Sequence, residues 1–352
     1  MTNRLNRIRE KIVEKGLDAL FVSQAENRRY LSGFTGSSGY LLITQSGAVL
    51  ATDFRYVEQA KNQARDFEIF QTQGTLSKWF NELISSFDIK RIGFDANDVS
   101  FATYRSMTSD ICGRELVPTE GLVESLRAVK DADELALIMK AVTVSDAAFE
   151  KVAAGIQAGM TEIEVAWELE KAMRENGSGV LPFDIIVASG PNAARPHHQP
   201  TDRPIADGEP VIIDMGAKVE GYTSDLSRTL HIGKRNEKFD KIYDLVLGAQ
   251  LTAITTVESG MTGDTADRLA RTVIEQGGYG EHFGHGLGHG VGLATHEAPR
   301  VGKESKDILT DGMVFTIEPG IYISGWGGVR IEDMVLLKQD RAQVLTKARK
   351  VG

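Results

Sequence analysis

Three of the seven histidines in this chain lie in one short stretch, residues 284–297, with the sequence GHGLGHGVGLATHE. His285 and His289 have the spacing of a zinc-binding helix, but glycine occupies every second position from 284 to 292. Each glycine costs about 1 kcal/mol against alanine in a helix interior, so the stretch is predicted to be an extended strand. The spacing does not fit a Gly-x-Gly-x-x-Gly dinucleotide loop. The predicted strand carries both histidines on one face, and its glycines allow a second backbone to come close.

Two pairs of carboxylates lie in the second half of the chain. Asp214 ends the apolar run VIID, and a hairpin that turns near residues 219–221 is predicted to put it directly opposite Asp225. Glu318 ends MVFTIE, and Glu318 and Glu332 are equidistant in sequence from Gly325, a residue of the turn SGWGG, so they are also predicted to face each other. Cross-strand neighbours have Cβ atoms about 4.5–5.5 Å apart. Buried carboxylates at that distance repel each other and need a cation or shared protons.

Four inward carboxylates and one inward histidine make a hard, oxygen-rich set of ligands. Such a set suits two divalent ions about 3.5–4 Å apart that share a water or hydroxide. Dense carboxylates favour manganese, with cobalt or zinc as alternatives, and the ligand types do not exclude iron. For any single acid, a solvated surface position is the simpler interpretation. Asp214 and Glu318 each end a near-continuous apolar run, which argues against it.

The elements that carry these acids are predicted to be duplicated. Gly-Met-Thr at 159–161 and again at 260–262 precedes a helix, with Glu164 closing a capping box in the first copy and Asp264 as the predicted cap of the second. Each helix is followed by a His-x-x-Pro motif and then by a strand that ends in an acid. These landmarks are offset by 101, 99 and 104 residues. Residues 131–352 are therefore interpreted as a repeated helix–helix–strand unit about a pseudo-twofold axis.

Composition limits the classes of function. The 352 residues are enough for two domains, and the net charge of −9 argues against a nucleic-acid partner. The single cysteine, Cys112, excludes an intrachain disulfide and is predicted to be a buried, inert thiol in a reducing compartment. The charged N-terminus and the lack of a long apolar run predict a cytoplasmic protein with no membrane partner.

The first third of the chain alternates between predicted helices and strands and carries no mark of a cofactor. An amphipathic helix is predicted over residues 2–16, and strands over 17–22, 48–52, 67–71 and 91–94. The segment GSSG at 36–39 does not have the Gly-x-Ser-x-Gly spacing of a serine hydrolase. Asp53 and Arg55 are interpreted as a solvated ion pair rather than an interface pair.

The motifs IIDMGAKVEGYTSDLSRT, GHGLGHGVGLATHE, TIEPGIY and GVRIED resemble those of the pita-bread metallopeptidases, above all the Xaa-Pro peptidases prolidase and aminopeptidase P. The resemblance implies an α+β protein. Residues 1–125 would form a smaller α/β creatinase-like N-terminal domain, and residues 126–352 a duplicated pita-bread catalytic domain with a curved, mostly antiparallel sheet and covering helices. The implied metal ligands are Asp214, Asp225, His289, Glu318 and Glu332.

The same resemblance implies an activity: hydrolysis of the Xaa-Pro bond at the N-terminus of dipeptides or short peptides by a hydroxide that bridges two divalent metal ions. Glu318 would be the general base. His197 and His296, the histidines of the two His-x-x-Pro motifs, would stabilise the tetrahedral intermediate or bind a substrate carboxylate. A homodimer is expected, with the N-terminal domain helping to enclose the site of the partner subunit.

Two more residues are candidates because of the faces they share. His285 lies on the same predicted strand face as His289 and is a candidate for the substrate pocket. Arg330 shares a face with Glu332, so it is predicted to orient that ligand or to bind a substrate anion. His231 is interpreted as structural, and no role is predicted for His198 or His282.

Two other classes of function remain open. A metal-independent hydrolase of the creatinase type has this domain layout without the metal ligands, and a non-catalytic binding protein on this fold would be expected to have lost some of them. All five ligand positions are filled here. Methionine aminopeptidases share the ligands but usually lack such an N-terminal domain. The sequence does not decide between cleavage of dipeptides and trimming of longer peptides.

Overall fold

The structure is a computed structural model that describes residues 2–109, 111 and 113–350. The chain divides into two compact units, Met1–Arg127 and Ala128–Gly352. Cys112, which is predicted to be a buried thiol, lies outside the described residues. Among the residues that are described, no helix is both long enough and apolar enough to cross a membrane.

The first unit is built on a six-stranded mixed sheet with the order β4-β3-β2-β1-β5-β6. Its central strand, ALFV, is buried at every position, which explains its uninterrupted apolar sequence. The strands predicted over residues 48–52, 67–71 and 91–94 are confirmed to within one residue. The elements are α1 (Thr2–Glu14), β1 (Ala19–Val22), α2 (Ala25–Ser32), β2 (Tyr40–Thr44), β3 (Ala48–Thr52), α3 (Val57–Gln63), β4 (Glu68–Gln71), α4 (Leu76–Ser85), β5 (Arg91–Asp95), α5 (Phe101–Thr108), β6 (Glu115–Thr119) and α6 (Glu124–Arg127). Asp53 and Arg55 form the predicted exposed ion pair, with Nε and Oδ1 2.8 Å apart.

The second unit contains four long helices and several short antiparallel sheets. Its first helix begins at the N-cap Asp131, whose side chain forms a capping box with Glu134. The elements are α7 (Ala132–Ala153), α8 (Glu162–Glu175), β7 (Ile186–Ser189), β8 (Pro210–Met215), β9 (Lys218–Val219), β10 (Tyr222–Thr223), β11 (Leu226–His231), α9 (Glu237–Thr256), α10 (Gly263–Gln276), β12 (Gly288–Gly290), β13 (Glu297–Val301), β14 (Val314–Ile317), β15 (Gly320–Ile323), β16 (Gly327–Arg330), β17 (Asp333–Lys338) and β18 (Arg341–Val344).

The predicted duplication is visible in matching backbone hydrogen bonds before α8 and before α10. Gly159 N–H donates to the carbonyl of Ile205, and Gly260 N–H donates in the same way to that of Leu309. Isolated bridges join Thr161 to Pro204 and Thr262 to Ile308. The two halves therefore repeat the same connection between a helix start and the chain that leads into the hairpin.

The N-cap of helix α10, in the second repeat, differs from the prediction. Asp264 is not the N-cap of α10; it lies in the first turn of the helix. Thr262 is the cap, and its hydroxyl accepts a hydrogen bond from the backbone of Thr265. In the first repeat, Thr161 and Glu164 form the predicted capping box. Both repeats thus use the threonine of Gly-Met-Thr, which the sequence prediction recognised only once.

The first carboxylate hairpin has a register that differs from the prediction. Asp214 pairs with Ser227, and Asp225 lies just before β11 rather than directly opposite Asp214. The turn explains the shift, because Glu220 and Gly221 both have positive φ and form a two-residue turn between Val219 and Tyr222. The shift is two residues, so Asp225 keeps the predicted side-chain face.

The second hairpin has the predicted register. β14 pairs with β17 and β15 pairs with β16, and both ladders are centred on Gly325. Glu318 and Glu332 occupy the gap between the two ladders, at equivalent positions on the two strands. The ladder is interrupted at this point, and the backbone N–H groups of Glu318 and Glu332 donate instead to the carbonyls of Leu287 and Ser227.

The histidine strand is shorter than predicted. Within residues 284–296, all of which are described, only Gly288–Gly290 forms a strand, and its pairing with β13 shifts between His289 and Gly290. The predicted close approach is confirmed. A Cβ at Gly288 would lie 2.0 Å from the carbonyl oxygen of Thr316, and one at Gly290 would lie 2.1 Å from that of Ala298. Glycine is therefore needed here because neighbouring backbones leave no space for a side chain.

Candidate metal centre

The second unit contains a cavity of about 430 Å³ in which the predicted site residues lie. All five predicted ligands line it, and so do the four other residues that are predicted to act in catalysis or substrate binding. These residues are Asp214, Asp225, His289, Glu318, Glu332, His197, His285, His296 and Arg330. They come from positions more than a hundred residues apart in the sequence. The elements that bring them together are two strand ends, the bulged strand β12 and the gap between the two ladders of the second hairpin.

Asp225, His289 and Glu332 form the tightest group, because one ligand atom from each lies within 4.8 Å of the others. Asp225 is 4% exposed and Glu332 is 1% exposed. The backbone N–H of Glu332 donates to the carbonyl of Ser227, which ties the second hairpin to β11 of the first. The two carboxylates therefore come from different repeats and reach the same point.

The tautomer of His289 is defined by its neighbours. Its Nδ1 lies 3.1 Å from the carbonyl oxygen of Gly290, and a carbonyl can only accept, so Nδ1 carries the proton. The lone pair of Nε2 then points toward Asp225 Oδ2 at 3.7 Å and Glu318 Oε1 at 3.4 Å. A lone pair that faces two carboxylate oxygens is the arrangement expected of a ligand whose other nitrogen is fixed by a backbone carbonyl.

Asp214 is held by Arg330. The guanidinium Nη2 donates to Oδ2 of Asp214 at 2.6 Å, whereas Oδ1 is buried and has no hydrogen-bond partner among the described residues. Arg330 is predicted to orient Glu332 or to bind a substrate anion; its other donors bond Ser227, Tyr322 and the carbonyl of Pro196, and no hydrogen bond joins it to the Glu332 side chain among the described residues. It is 2% exposed. The predicted partner is therefore wrong, because Arg330 ends β16 beside β8, where Asp214 lies.

Glu318 is fixed at one oxygen. Its Oε1 accepts from the Thr316 hydroxyl at 3.1 Å, and its backbone N–H donates to the carbonyl of Leu287. Among the described residues, no hydrogen bond is formed by Oε2, and the side chain is 17% exposed to the cavity. Glu318 thus offers an oxygen atom to whatever occupies the cavity.

Negative charge dominates the group. Burial, and then the charges of Asp214 and Glu318, raise the pKa of Asp225 well above its usual range. Burial, followed by Asp225 and Glu318, does the same to the pKa of Glu332. Burial also raises the pKa of Glu318. Such shifts mean that the protein does not itself neutralise these carboxylates. The partnerless Oδ1 of Asp214, the free lone pair of His289 and this set of hard oxygens all fit divalent cations.

The three remaining candidate histidines line the cavity in different environments. His285 is held at both nitrogens, since Nδ1 donates to the carbonyl of Gly286 and Nε2 lies 2.9 Å from the Tyr322 hydroxyl. Burial lowers the pKa of His285. His296 is exposed at the mouth, with its ring centroid 4.1 Å from that of His289. Partial burial and then His289 lower the pKa of His296 to about 4. His197 is also exposed.

Several residues of the site were not predicted. Tyr322 joins Arg330 to His285 through its hydroxyl. Burial raises the pKa of Tyr322 to about 12, so it stays a donor. The sequence did contain a signal for Tyr322: it lies an even number of residues after Glu318, so in an extended chain the two side chains share a face. Arg300, an exposed residue four positions after His296, also lines the cavity. No motif in the sequence indicated that it belongs to the site.

His198 forms a hydrogen bond in a buried network beside the cavity. It is buried beside Glu162, with Nε2 and Oε2 2.8 Å apart. The Glu162 carboxylate, 0% exposed, also accepts hydrogen bonds from Ser189, Asn192 and Thr201. This network fixes the segment that carries His197 and His198 at the cavity wall. His231, by contrast, does not line the cavity; its ring packs at a tilt against Phe239, with the ring centroids 4.6 Å apart.

Comparison with known proteins gives consistent matches. The family described as Metallopeptidase family M24 matches residues 136–339, and the Creatinase/Prolidase N-terminal domain matches residues 4–129. An Xaa-Pro dipeptidase of Pyrococcus horikoshii is 36% identical over 99% of this chain and 97% of that protein. The solved structure of an Xaa-Pro dipeptidase from Bacillus anthracis is 41% identical, with a TM-score of 0.96 over 99% of this chain and 98% of the other. An X-Pro aminopeptidase from Thermotoga maritima is 37% identical, with a TM-score of 0.87 over 95% and 97% of the two chains.

Proposed function

Because the chain belongs to metallopeptidase family M24, we propose that it hydrolyses the Xaa-Pro bond at the N-terminus of dipeptides or short peptides, using two divalent metal ions. The predicted family and the α+β pita-bread fold behind a creatinase-type domain are confirmed by these matches. The observation that carries the proposal is the set of four carboxylates, two buried and two facing the cavity, that lies around the free nitrogen of His289.

The proposed ligands are Asp214, Asp225, His289, Glu318 and Glu332. When bound, two divalent ions supply an activated water as nucleophile and positive charge beside the scissile carbonyl. Manganese suits this oxygen-rich set best, with cobalt or zinc as alternatives. The chain's own contribution is to fix these side chains before the substrate arrives, through the contacts of Arg330, Thr316 and Gly290.

Glu318 is the proposed general base. Its Oε2 is open to the cavity, while Thr316 holds Oε1. A carboxylate with one oxygen fixed and one free can take a proton from water and pass it to the leaving nitrogen. The proline nitrogen has no hydrogen of its own, so it requires a proton from such a group before it can leave as an amine.

His197 and His296 are proposed to contact the substrate from the mouth of the cavity, where both are exposed. A neutral imidazole can donate to the oxygen on which charge develops when the carbonyl is attacked. His285 is proposed as a pocket residue, since Tyr322 and Gly286 fix its ring. Arg330 is a proposed contributor through Asp214, because four of its five N–H donors are already used by Ser227, Pro196, Tyr322 and Asp214.

The cavity also contains apolar surface suited to a pyrrolidine ring. Its apolar lining residues are Phe183, Ile185, Ile186, Pro196 and Val301. Arg300 lines the same cavity, and its guanidinium forms no hydrogen bond or ion pair with any described residue. We therefore propose that Arg300 binds the C-terminal carboxylate of a dipeptide substrate, as an exposed arginine can do with both oxygens at once.

Metal analysis combined with hydrolysis assays tests the proposed function. Two equivalents of metal and chelator-sensitive cleavage of Ala-Pro are expected, with no cleavage of Ala-Ala. Full activity in metal-free protein would overturn the mechanism in favour of the creatinase type.

Arg300→Ala is expected to raise the KM for Ala-Pro by about 10-fold or more, the usual size of a lost charge-assisted contact. Lys303→Ala, which removes a nearby exposed charge outside the cavity, should leave that KM unchanged.

A further inference from the structure

The segment at residues 345–350 lies behind the strands that carry the proposed ligands. Thr346 and Lys350 both reach Asp333, the residue that directly follows Glu332. Ala348 presents its carbonyl oxygen to Arg228, which directly follows Ser227 on β11. Successive strand residues point to opposite faces, so Arg228 and Asp333 lie on the face away from the cavity.

Arg228 uses its full set of donors in this position, where it is 1% exposed. Nε and Nη2 donate to the carbonyl of Ala348 at 3.1 and 2.7 Å. Nη2 also donates to Oδ1 of Asp333 at 2.8 Å. Nη1 donates to the carbonyls of Ser227 and Glu332. One guanidinium therefore joins both hairpins and the 345–350 segment.

Asp333 is saturated in the same way. Oδ1 accepts from Arg228 and, at 2.7 Å, from the hydroxyl of Thr346. Oδ2 accepts from Gln250 at 3.2 Å and from Lys350 Nζ at 2.7 Å. The carboxylate is buried, with its side chain 1% exposed. Half of its partners therefore come from the 345–350 segment.

These contacts act on the backbone of a proposed ligand. Glu332 donates its N–H to Ser227 and accepts from Arg228 at its carbonyl. Both peptide groups around its Cα are thus fixed, and so is the origin of its side chain. Because partners behind a metal ligand typically change metal affinity by about 10–100-fold, the segment has a direct route to the centre.

The segment is also anchored on α7. Asp146 accepts from the backbone N–H groups of Lys347 and Ala348 at 2.8 and 3.0 Å. Glu150 accepts from the backbone N–H of Arg349 at 2.7 Å, whereas the Arg349 side chain forms only a solvent-exposed ion pair with it, which contributes little. The segment therefore connects a helix of the first repeat with the ligand hairpin of the second.

We propose that the 345–350 segment positions the metal centre by fixing Arg228 and Asp333, and through them the backbone of Glu332. This inference rests on the proposed function for the presence of metal. It goes beyond it by assigning a role to residues outside the cavity, where Thr346 and Lys350 touch neither the ligands nor a substrate.

Lys350→Met tests the proposal, because it removes one partner of Asp333 from a residue that is partly exposed, at 24% of its side chain. Calorimetric titration of metal-stripped protein with Mn²⁺ is expected to show about 10-fold weaker binding. Thr346→Val, which removes only a hydroxyl, is expected to act in the same direction. Lys350→Arg should retain most of the affinity, because it keeps a cation beside Asp333.

Arg349→Met is the matched control. It removes the same charge one residue away, from an exposed pair with Glu150 that has no link to Asp333. It should leave Mn²⁺ affinity unchanged. Thermal unfolding of the metal-free variants separates positioning from stability, since Lys350→Met and Arg349→Met are expected to unfold at similar temperatures.

Two outcomes overturn the proposal while leaving the proposed function intact. The first is wild-type Mn²⁺ affinity in both Lys350→Met and Thr346→Val. The second is an equal loss in Lys350→Met and Arg349→Met. If the wild-type protein itself binds no divalent metal, the proposed function fails and this inference fails with it.

Discussion

Arg330 Nη2 lies 2.6 Å from Asp214 Oδ2. The carboxylate at the end of β8 is therefore held by an arginine from β16, in the opposite repeat. One oxygen of Asp214 is committed to this arginine, and the other is left to the cavity. The pair fixes the direction in which the free oxygen points.

Replacing this arginine by lysine should damage the centre although the charge is kept. Lysine is a point charge on a flexible stem and cannot reach Asp214, Ser227 and Tyr322 at once. We expect Arg330→Lys to weaken Mn²⁺ binding by about 10–100-fold. Titration of the metal-stripped protein measures this. Arg300→Lys, in the same cavity, should leave metal affinity unchanged; an equal loss in both would show that the effect does not depend on the contacts of Arg330 with Asp214, Ser227 and Tyr322.

Removing the proposed base should stop turnover. Glu318→Gln keeps the shape of the side chain but can neither accept a proton nor offer two charged oxygens. Hydrolysis of Ala-Pro is expected to fall by at least about 100-fold, the lower range for the loss of a general base. Metal affinity should fall as well, since Glu318 is also a proposed ligand. A variant that retains turnover with its metals bound would remove Glu318 from this role.

Glycine at position 288 should be required for stability. Any Cβ there would lie 2.0 Å from the Thr316 carbonyl oxygen, and neighbouring backbone cannot yield as a flexible side chain does. Gly288→Ala is expected to lower the free energy of unfolding by about 1–3 kcal/mol, the usual cost of overpacking. Gly284→Ala is the control, because a Cβ there meets nothing within 4 Å. Denaturant unfolding of the two variants should differ clearly.

The pH dependence of stability should reveal the buried Glu162. Burial would raise its pKa, but hydrogen bonds from Asn192, His198 and Ser189 outweigh it and lower the pKa from 4.5 to about 2. A carboxyl with a depressed folded pKa stabilises the fold above its unfolded pKa, and this contribution is lost as the pH falls through the folded value. The loss should occur between pH 4.5 and about 2.

The contribution of ionised Glu162 to the free energy of unfolding is on the order of 2 kcal/mol once solvent screening is allowed for. Unfolding free energies of wild type and Glu162→Gln across this window provide the measurement. The difference between them should shrink as the pH falls. A difference that stays constant to pH 2 would contradict the assignment.

Much of the site could be predicted from the sequence because its signals are local. The acids at 214 and 318 end apolar strands, and the symmetric turn around Gly325 defines where Glu332 must lie. The first hairpin was misjudged by two residues because its register depends on the backbone of Glu220. A glutamate with positive φ is not a residue from which a two-residue turn is readily expected.

Contacts between distant segments could not be predicted. No spacing rule connects Arg330 with Asp214, or Lys350 with Asp333, because each pair is brought together by the packing of separate hairpins. The alternating pattern of the histidine stretch correctly indicated a strand only at residues 288–290, and the bulge after His289 depends on its pairing with the next strand, where Gly290 lies opposite Glu297. Local pattern thus defined which residues matter, and tertiary packing defined what each one touches.

If the proposed ligands hold two metal ions, the duplicated unit makes the two coordination positions chemically unequal. Each repeat supplies two carboxylates, aspartates in the first and glutamates in the second, but only the second supplies a nitrogen. The two repeats therefore have similar backbones but provide different sets of ligand atoms. An ion nearer to His289 would have a softer environment than its neighbour, so stepwise loading with different metals would give a mixed-metal protein in a preferred order.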